Sequence, residues 1–585
     1  MRSTFSGLNT VVSGIEAHQL SLDTIGQNLA NDSTQGYSRQ SVNLVATKAM
    51  DQLSLYGKSY VGSGVDAASI TRARDVFADK HYWRESATKS YYDQRKTDYT
   101  TIEQIFNDAQ INSQDVGLKS SINDFWASWQ KLSTNASDGD TRINTRDNAV
   151  SMADKIKTMA AQMQSQINSN YGQLQADVSE VNKITDKILS FNKNIVQLEA
   201  NGGMANDLRD QRDKAVDELS QYVKTYVTIQ SDGSYSISSN GSILVDGKGK
   251  LTLGLQSQNN PEYGITDYNL VFQETGTIYD PADGQIKATQ DNVAEDKSYI
   301  DELDNYTAFF LTTFNAQHKE GYGIDGGNSG KGSTDINFFG DTSNSYKWVD
   351  DKASQADGYE KAYVEKTDVN GVIEKLRGID LINELTVNSK ITDKGGTDYI
   401  AAKGANKYTK TDSHTDSNGH SVKTGDYIDA NGNWLDYSHR IPAKNGTADK
   451  ADGSNAVTLS TLFNTAIDNA GVNDSIKNAA GMELDAGGNP TKQTSTNNMG
   501  LYNYYTDNMA TLGTSSSITN DNVTKQTAVL TQVDNARQSV SGVNWNEELT
   551  NMIKFQQGYS ACSRVLTTMD QMLDKLINST GEVGR

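Results

Sequence analysis

The side chains able to do chemistry in this chain are few and scattered. Six histidines stand at positions 18, 81, 318, 414, 420 and 439, and no two have the spacing that would aim a pair of imidazoles at one metal ion from a helix. His414, His420 and His439 could gather in one module, but solvated loop histidines are the commoner outcome. The stretch "DGGNSGKGS" approaches a phosphate-cradling loop and fails at both ends. Asp325 occupies the place of the first glycine, and Gly332 the place of the hydroxyl residue after Lys331. "DANGNW" offers Asp429, Asn431 and Asn433 at calcium-loop spacing, yet its glycine is the fourth residue rather than the sixth and Arg440 stands where a bidentate glutamate belongs. A hairpin turn explains it better. No triad motif is visible. The single cysteine, Cys562, cannot form an internal disulfide or a thiolate cage, and no histidine lies within about a hundred residues of it in sequence. Its place on an apolar stripe reads as a small buried side chain. The expectation is a protein without catalytic residues, cofactor or metal.

The elements that would hold such residues are more informative than the residues. Near the C-terminus Met552, Phe555, Tyr559, Cys562, Leu566, Met569, Leu573 and Leu576 follow one another at alternating steps of three and four, an unbroken heptad stripe. At the other end Phe5, Leu8, Val12, Ile15, Gln19, Leu22, Gly26 and Leu29 keep the same rhythm, with Val11 and Ile25 widening it. Burying eight such side chains stabilises by about 2 kcal/mol each, while fixing a helix of this length costs roughly 1 to 2 kcal/mol per residue before hydrogen bonding offsets part of it. Each helix alone is marginal. Either the two stripes pair with each other, so that the chain ends meet, or each packs on a globular core.

The 585 residues imply several domains. Only 35% are hydrophobic and the mean hydropathy is −0.64, which suits elongated shapes with much surface. A net charge of −21 and a pI near 4.8 argue against binding nucleic acid, whose phosphates need basic patches. No apolar run approaches a bilayer span, so membrane insertion is not expected, and "MRSTFSGLNTVV" lacks the features of a cleaved secretory signal.

Proline divides the chain. Pro261, Pro281, Pro442 and Pro490 are the only four, leaving both ends free to be helical. Helices are expected in "SATKSYYDQRKTDYTTIEQIFND", in "LKSSINDFWASWQKL", and over residues 143–200, where Val181, Ile184, Ile188, Phe191, Ile195 and Leu198 keep a seam. Gly202 and Gly203 should stop that rod, and Asn206 should cap a helix whose first turn carries Asp207 and Asp210. From about 223 the period falls to two, in Val227/Ile229, Tyr235/Ile237, Ile243/Val245 and Leu251/Leu253/Leu255, with Asn-Gly and Asp-Gly turns between.

The expected fold is therefore multidomain α+β, with a coiled-coil-like helical stalk built from both termini and β-rich modules inserted between. Its segments are 1–65, an N-terminal helix and linking segment; 66–222, a helical rod; 223–297, a small antiparallel β module; 298–318, a returning rod helix; 319–490, a variable β-rich outer module; 491–540, rod helices; and 541–585, the C-terminal heptad helix.

Two segments carry a family likeness. "LANDSTQGYSRQ", from Leu29 to Gln40, resembles the segment following the first helix in bacterial flagellar axial proteins, the rod, hook and hook-associated group, and "SVSGVNWNEELTNMIKFQQGYSACSRVLTTMDQMLDKLI" resembles the C-terminal helix of the same group. "NDLRDQRDKAVDELSQYV", "FNAQHKEGYGIDG" and "DGSNAVTLSTLF" narrow the resemblance to the flagellar hook-associated protein 1 family, the first hook–filament junction proteins. The likeness thins over 340–450. It implies a structural subunit, not an enzyme, exported through the flagellar type III apparatus without a cleaved signal and placed outside the cell at the hook tip. The partners implied are further copies in a ring or helical layer, the hook protein, the second junction protein, the filament and an export chaperone. Carried over residue by residue, the assembly surface comprises the two stripes with Asn31, Gly36, Tyr37 and Arg39 of the linking motif. An ordinary loop contact remains open for Tyr37 and Arg39. A hook or rod subunit, or an axial scaffold carrying a surface-binding outer module, are the alternatives.

Overall fold

The computed structural model describes residues 6–54, 57–106, 117–200, 202–324, 335–350, 362–407, 410–428, 430–436, 451–463 and 501–579. Phe5, the "DGGNSGKGS" loop, Asp429, His439 and Arg440 lie outside them.

The chain opens with helix α1 (Ser6–Ala30) and closes with α12 (Trp545–Ser579). These two pack on each other, so the chain ends meet. After α1 comes an antiparallel ribbon, β1 (Gln40–Ala46) on β4 (Val65–Arg72), with a hairpin of β2 (Met50–Ser54) and β3 (Gly57–Val61) between them. The expected helical segment from 66 thus begins as a strand. The alternation in "VDAASITR" is carried by Val65, Ala67 and Ser69, too weakly apolar to announce itself in sequence.

The rod is built from α2 (Val76–Phe106), α3 (Leu118–Thr134), α4 (Gly139–Glu199), α5 (Asn206–Tyr222), α6 (Gln285–Phe309) and α11 (Leu501–Ser541). Helix α4 runs 61 residues, about 90 Å at the standard rise. It is buried on one stripe from Met152 through Ile167, Leu174, Val181 and Ile188 to Ile195, against α3, α5 and α6. Its start is secured by Asp138, whose carboxylate accepts from the Thr141 amide at 3.2 Å. Asn206 does not cap α5 as its position suggests. It is already helical, and its amide donates instead to Gln40 Oε1 at 3.1 Å and the Ile70 carbonyl at 2.9 Å, tying α5 to the β1–β4 ribbon.

The β module holds a three-stranded sheet, β5 (Tyr226–Ile229), β6 (Tyr235–Ser239) and β7 (Ser242–Val245), and a two-stranded pair, β8 (Leu253–Asn260) and β9 (Ile265–Phe272). Asn240 and Gly241 turn β6 into β7 with φ of 43° and 81°, the left-handed pair a tight hairpin requires. Strand structure ends well before 297. Helix α6 begins at Gln285, after Gly284 at φ 102°, because "QIKATQDNVAEDK" keeps a buried row, Ile286, Thr289, Val293 and Asp296, that is partly polar and so invisible to a hydrophobic period.

Past α6 a π-helical turn, Phe310–Phe314, leads into α7 (Asn315–Glu320). There the rod meets the outer module. Beyond α7 lie β10 (Ser345–Asp350), β11 (Ala362–Thr367) and β12 (Ile373–Leu376) in one sheet, the short helices α8 (Ile379–Glu384) and α9 (Ser389–Thr392), the two-residue hairpins β13 (His414–Thr415) with β14 (Ser421–Val422) and β15 (Tyr427–Ile428) with β16 (Trp434–Leu435), and α10 (Ser454–Leu462). Gly432 at φ 86° makes "ANGNW" the hairpin turn expected of it.

An aromatic cluster joins these parts. The Phe125 ring lies 5.5 to 6.2 Å from those of Trp126, Trp129, Phe310, Phe314, Phe338 and Phe339. His318 packs beside it, fully buried, with Nδ1–H donating to the Ile336 carbonyl at 2.8 Å and Nε2 accepting from the Ala401 amide at 2.9 Å. Burial lowers its pKa to about 4, so the neutral ring is held as a structural strut. Arg142 does similar work as a buried cation, giving its Nε to the Ala136 carbonyl and its Nη1 to the carbonyls of Thr397 and Ile400.

Candidate assembly interface

The terminal pair is antiparallel, and its register can be read from its glycines. A Cβ placed on Gly7 would lie 3.2 Å from Met569 Cε, one on Gly14 3.2 Å from Cys562 Sγ, and one on Gly558 2.7 Å from the His18 ring. Asn28 Nδ2 donates to Glu548 Oε2 at 3.1 Å. The steps of seven, four and ten residues from Gly7 to Gly14, His18 and Asn28 along α1 are matched by equal steps back along α12, from Met569 to Cys562, Gly558 and Glu548. The seam on α1 is therefore Gly7, Gly14, His18 and Asn28, with Ser21 and Ile25, both buried, at the intervening positions.

This shifts the α1 seam by one residue from the expected apolar stripe. Gly7, Gly14 and Ser21 let the backbones approach closely, and the large side chains of α12 fill the space that small residues leave. On α12 the row Phe555, Cys562 and Met569 is on the seam, whereas Met552, Tyr559, Leu566 and Leu573 lie one position round from it, and Leu576 is 54% exposed. On α1, Leu8, Ile15, Leu22 and Leu29 are likewise one position round, all partly exposed, and Val12 with them. In an antiparallel heptad pair these two displaced rows flank the seam on the same side. The opposite flank of α1 is covered by the ribbon, where Gly64 abuts Thr10 and Ser13, and Ser13 Oγ accepts from the Val65 amide at 3.3 Å. One flank of α1 is thus clad in β-structure, while its other flank and α12 present partly exposed apolar rows, Val565 and Met572 of α12 among the most exposed.

Asn28 anchors the pair to the linking motif, and sequence reasoning missed it. Its amide nitrogen also donates to the Gln40 carbonyl at 2.9 Å, and its Oδ1 accepts from the Gln40 amide at 2.9 Å and the Tyr37 hydroxyl at 2.8 Å. The amide is fully used and fully buried. Tyr37 is thereby tied to the end of α1 within the chain. Burial and the nearby Asp210 carboxylate push its pKa up to about 12, keeping the hydroxyl a donor. Asn31 closes α1, its Nδ2 donating to the Gln27 carbonyl at 2.9 Å and its Oδ1 accepting from Thr34 Oγ1 at 3.1 Å. Gly36, at φ 87°, turns the chain over the Lys214 stem. Arg39 pairs with Glu547 at 2.9 Å, and its amide donates to the Ser541 carbonyl at 2.8 Å, so one residue touches both sides of the α11–α12 junction.

Beneath the linking motif lies a charged hub drawn from distant segments. Arg72 bridges Asp210 and Asp213, Arg74 pairs with Asp79 at 2.9 Å, and Ser38 donates to Asp210 through both its amide and its hydroxyl. Burial would raise the Asp213 carboxyl, but Arg74, Arg72 and Arg212 outweigh it and hold it below the usual carboxylate range. Arg537 on α11 pairs with Asp217 at 2.8 Å and stacks 3.7 Å over the Tyr82 ring. A cleft of about 440 Å³ opens here, lined by Tyr37, Lys214, Asp217, Arg537 and Ser541 among others. Among the described residues no group of three or more histidine, cysteine or acidic side chains could hold a metal ion, and no described helix is long and apolar enough to cross a membrane.

Comparison with known proteins agrees with this architecture. Residues 99–339 match the family model "Flagellar hook-associated protein FlgK helical domain", and residues 536–579 match "Flagellar basal body rod FlgEFG protein C-terminal". Along its whole length the chain is 27% identical to flagellar hook-associated protein 1 of Bacillus subtilis, covering all of both chains. It is 25% identical to that of Salmonella typhimurium and 26% to that of Escherichia coli, in each case over 98% of this chain and 99% of the relative. Among solved structures, the flagellar hook junction protein FlgK from Burkholderia pseudomallei superposes with a TM-score of 0.53 at 17% identity, over 79% of this chain and all of the other, a likeness of fold.

Proposed function

The chain belongs to the flagellar hook-associated protein 1 family, structural components of the flagellum, and we propose that it forms the layer joining hook to filament. In this reading the terminal helix pair enters the wall of the axial assembly while the rod and outer module are displayed outside it. The observation that carries it is the apolar surface the pair leaves uncovered: Leu8, Ile15, Leu22 and Leu29 of α1 beside Met552, Tyr559, Leu566 and Leu573 of α12, with Val565 and Met572 exposed as well, while the β1–β4 ribbon backs α1 alone. Two partly exposed rows on one face suit neighbouring copies, the hook protein below, and the second junction protein and filament beyond. Export through the flagellar type III apparatus, with a chaperone shielding these rows, belongs to the same reading, as does the absence of catalysis.

The test is electron microscopy of cells lacking the protein, with the culture medium assayed for filament subunits. Finished hooks without filaments, and shed subunits in the medium, are expected. Missing hooks would move the protein to the rod or hook, and normal flagella would overturn the assignment.

A further inference from the structure

The rod buries two carboxylates against one amide. Asp98 on α2 and Asp296 on α6 are 2% and 0% exposed. Asn170 on α4 donates from the same nitrogen to both, at 2.8 Å to Asp98 Oδ1 and 2.9 Å to Asp296 Oδ2, and Gln166 Nε2 donates to Asp98 Oδ1 at 2.7 Å. The other two oxygens, Asp98 Oδ2 and Asp296 Oδ1, are buried without a hydrogen-bond partner. Arg95 on α2 is the cation facing the pair, but its guanidinium hydrogen-bonds to Asn292 Oδ1, the Tyr99 hydroxyl and Glu295 Oε2. Glu295 and Tyr299 face the cluster from α6 and Tyr99 from α2, while α11 adds only the neutral Ser515 hydroxyl at Tyr99. Two ionised carboxylates so placed would leave two unsolvated negative oxygens in a dry interior.

We propose that Asp98 and Asp296 hold one proton between them, and that this shared proton is the latch that lets α2, α4 and α6 close on one another, so that alkali loosens the rod at this point. Burial, and then the neighbouring Asp98 charge, push the Asp296 carboxyl up to about 9, and burial raises Asp98 as well. The sign follows from linkage. A carboxyl whose folded pKa lies above its unfolded value near 4 binds its proton more tightly when folded. Its contribution to stability is present at low pH and is lost as pH rises from about 4 toward 9.

The experiment is thermal unfolding of the full chain from pH 5 to pH 9.5, beside Asp296→Asn, which keeps the shape and cannot ionise. The melting temperature of the native chain is expected to fall across that range by several degrees more than that of the variant. Infrared difference spectra at pH 7 should also show a protonated carboxyl band that Asp296→Asn removes. If Asp296→Asn does not fold, Asp98→Asn serves, since it removes the like-charge partner and should flatten the pH profile in part, the burial of Asp296 keeping the rest. Parallel profiles with no such band would overturn the proposal. So would calcium, magnesium or sodium raising the melting temperature of the native chain at pH 9 but not that of the variant, since the pair would then hold a cation.

Discussion

Replacing Gly558 with leucine should leave the rod and outer module folded and abolish filament attachment. The reason lies in one contact. A bare Cβ at 558 already falls 2.7 Å from two atoms of the His18 imidazole, and that ring is wedged against Phe555 at 5.8 Å between centroids. Overpacking at such a point costs typically about 1 to 3 kcal/mol. A helix pair partly exposed along its length has little reserve against that loss. Gly558→Ala is the graded case. Alanine improves helix propensity by about 1 kcal/mol, which opposes the steric cost, so a partial defect is expected, relieved by adding His18→Ala. Motility and the count of filament-bearing hooks are the readouts. Full function in Gly558→Leu, or no rescue of Gly558→Ala by His18→Ala, would show that α1 and α12 do not meet in this register when the protein works.

Phe125→Ala should produce the largest loss of stability of any single truncation in the rod. Its ring touches six others, supplied by α3 itself, the π-helical turn and the 338–339 segment, and it is fully buried. Removing a buried phenylalanine costs about 3 to 5 kcal/mol. Because the cluster is where the rod grips the outer module, the loss should fall on that joint first, in a chain whose several parts need not unfold together. Calorimetry should show the transition assigned to the outer module moving down by several degrees, with protease sensitivity rising around residues 336–339. A change below about 1 kcal/mol would mean that the rings repack around the cavity and that the joint rests on Arg142 and His318 instead.

These expectations draw on features of unequal legibility. The long helix through 143–200 was readable because Val181, Ile184, Ile188 and Ile195 form a strong single-sided row, and the hairpin at Asn240–Gly241 because only a left-handed pair fits there. The meeting of the chain ends was readable as one of two outcomes. The face by which α1 meets α12 was not. Hydrophobic period finds the largest side chains, whereas two helices come closest where side chains are smallest, at Gly7, Gly14 and Ser21. The strands at 40–72 and the first three turns of α6 were missed for a related cause, since their inward rows include the half-buried Ser69 and the buried Thr289 and Asp296. The charged hub could not have been found by spacing at all. Arg537 and Asp217 are 320 residues apart in sequence, as are Asn28 and Glu548 by 520.

The central claim is that the terminal helices work as an antiparallel pair in the register set by Gly14 and Cys562. Because a Cβ at 14 would lie 3.2 Å from the Cys562 sulfur, Gly14→Cys brings two thiols within bridging distance inside one chain. The measurement is oxidation of intact flagella from cells whose only copy carries Gly14→Cys, followed by analysis of the bridged species. The account predicts an intrachain disulfide in copies incorporated at the hook tip. Incorporated copies that stay reduced, or that bridge only to neighbouring copies, would contradict it.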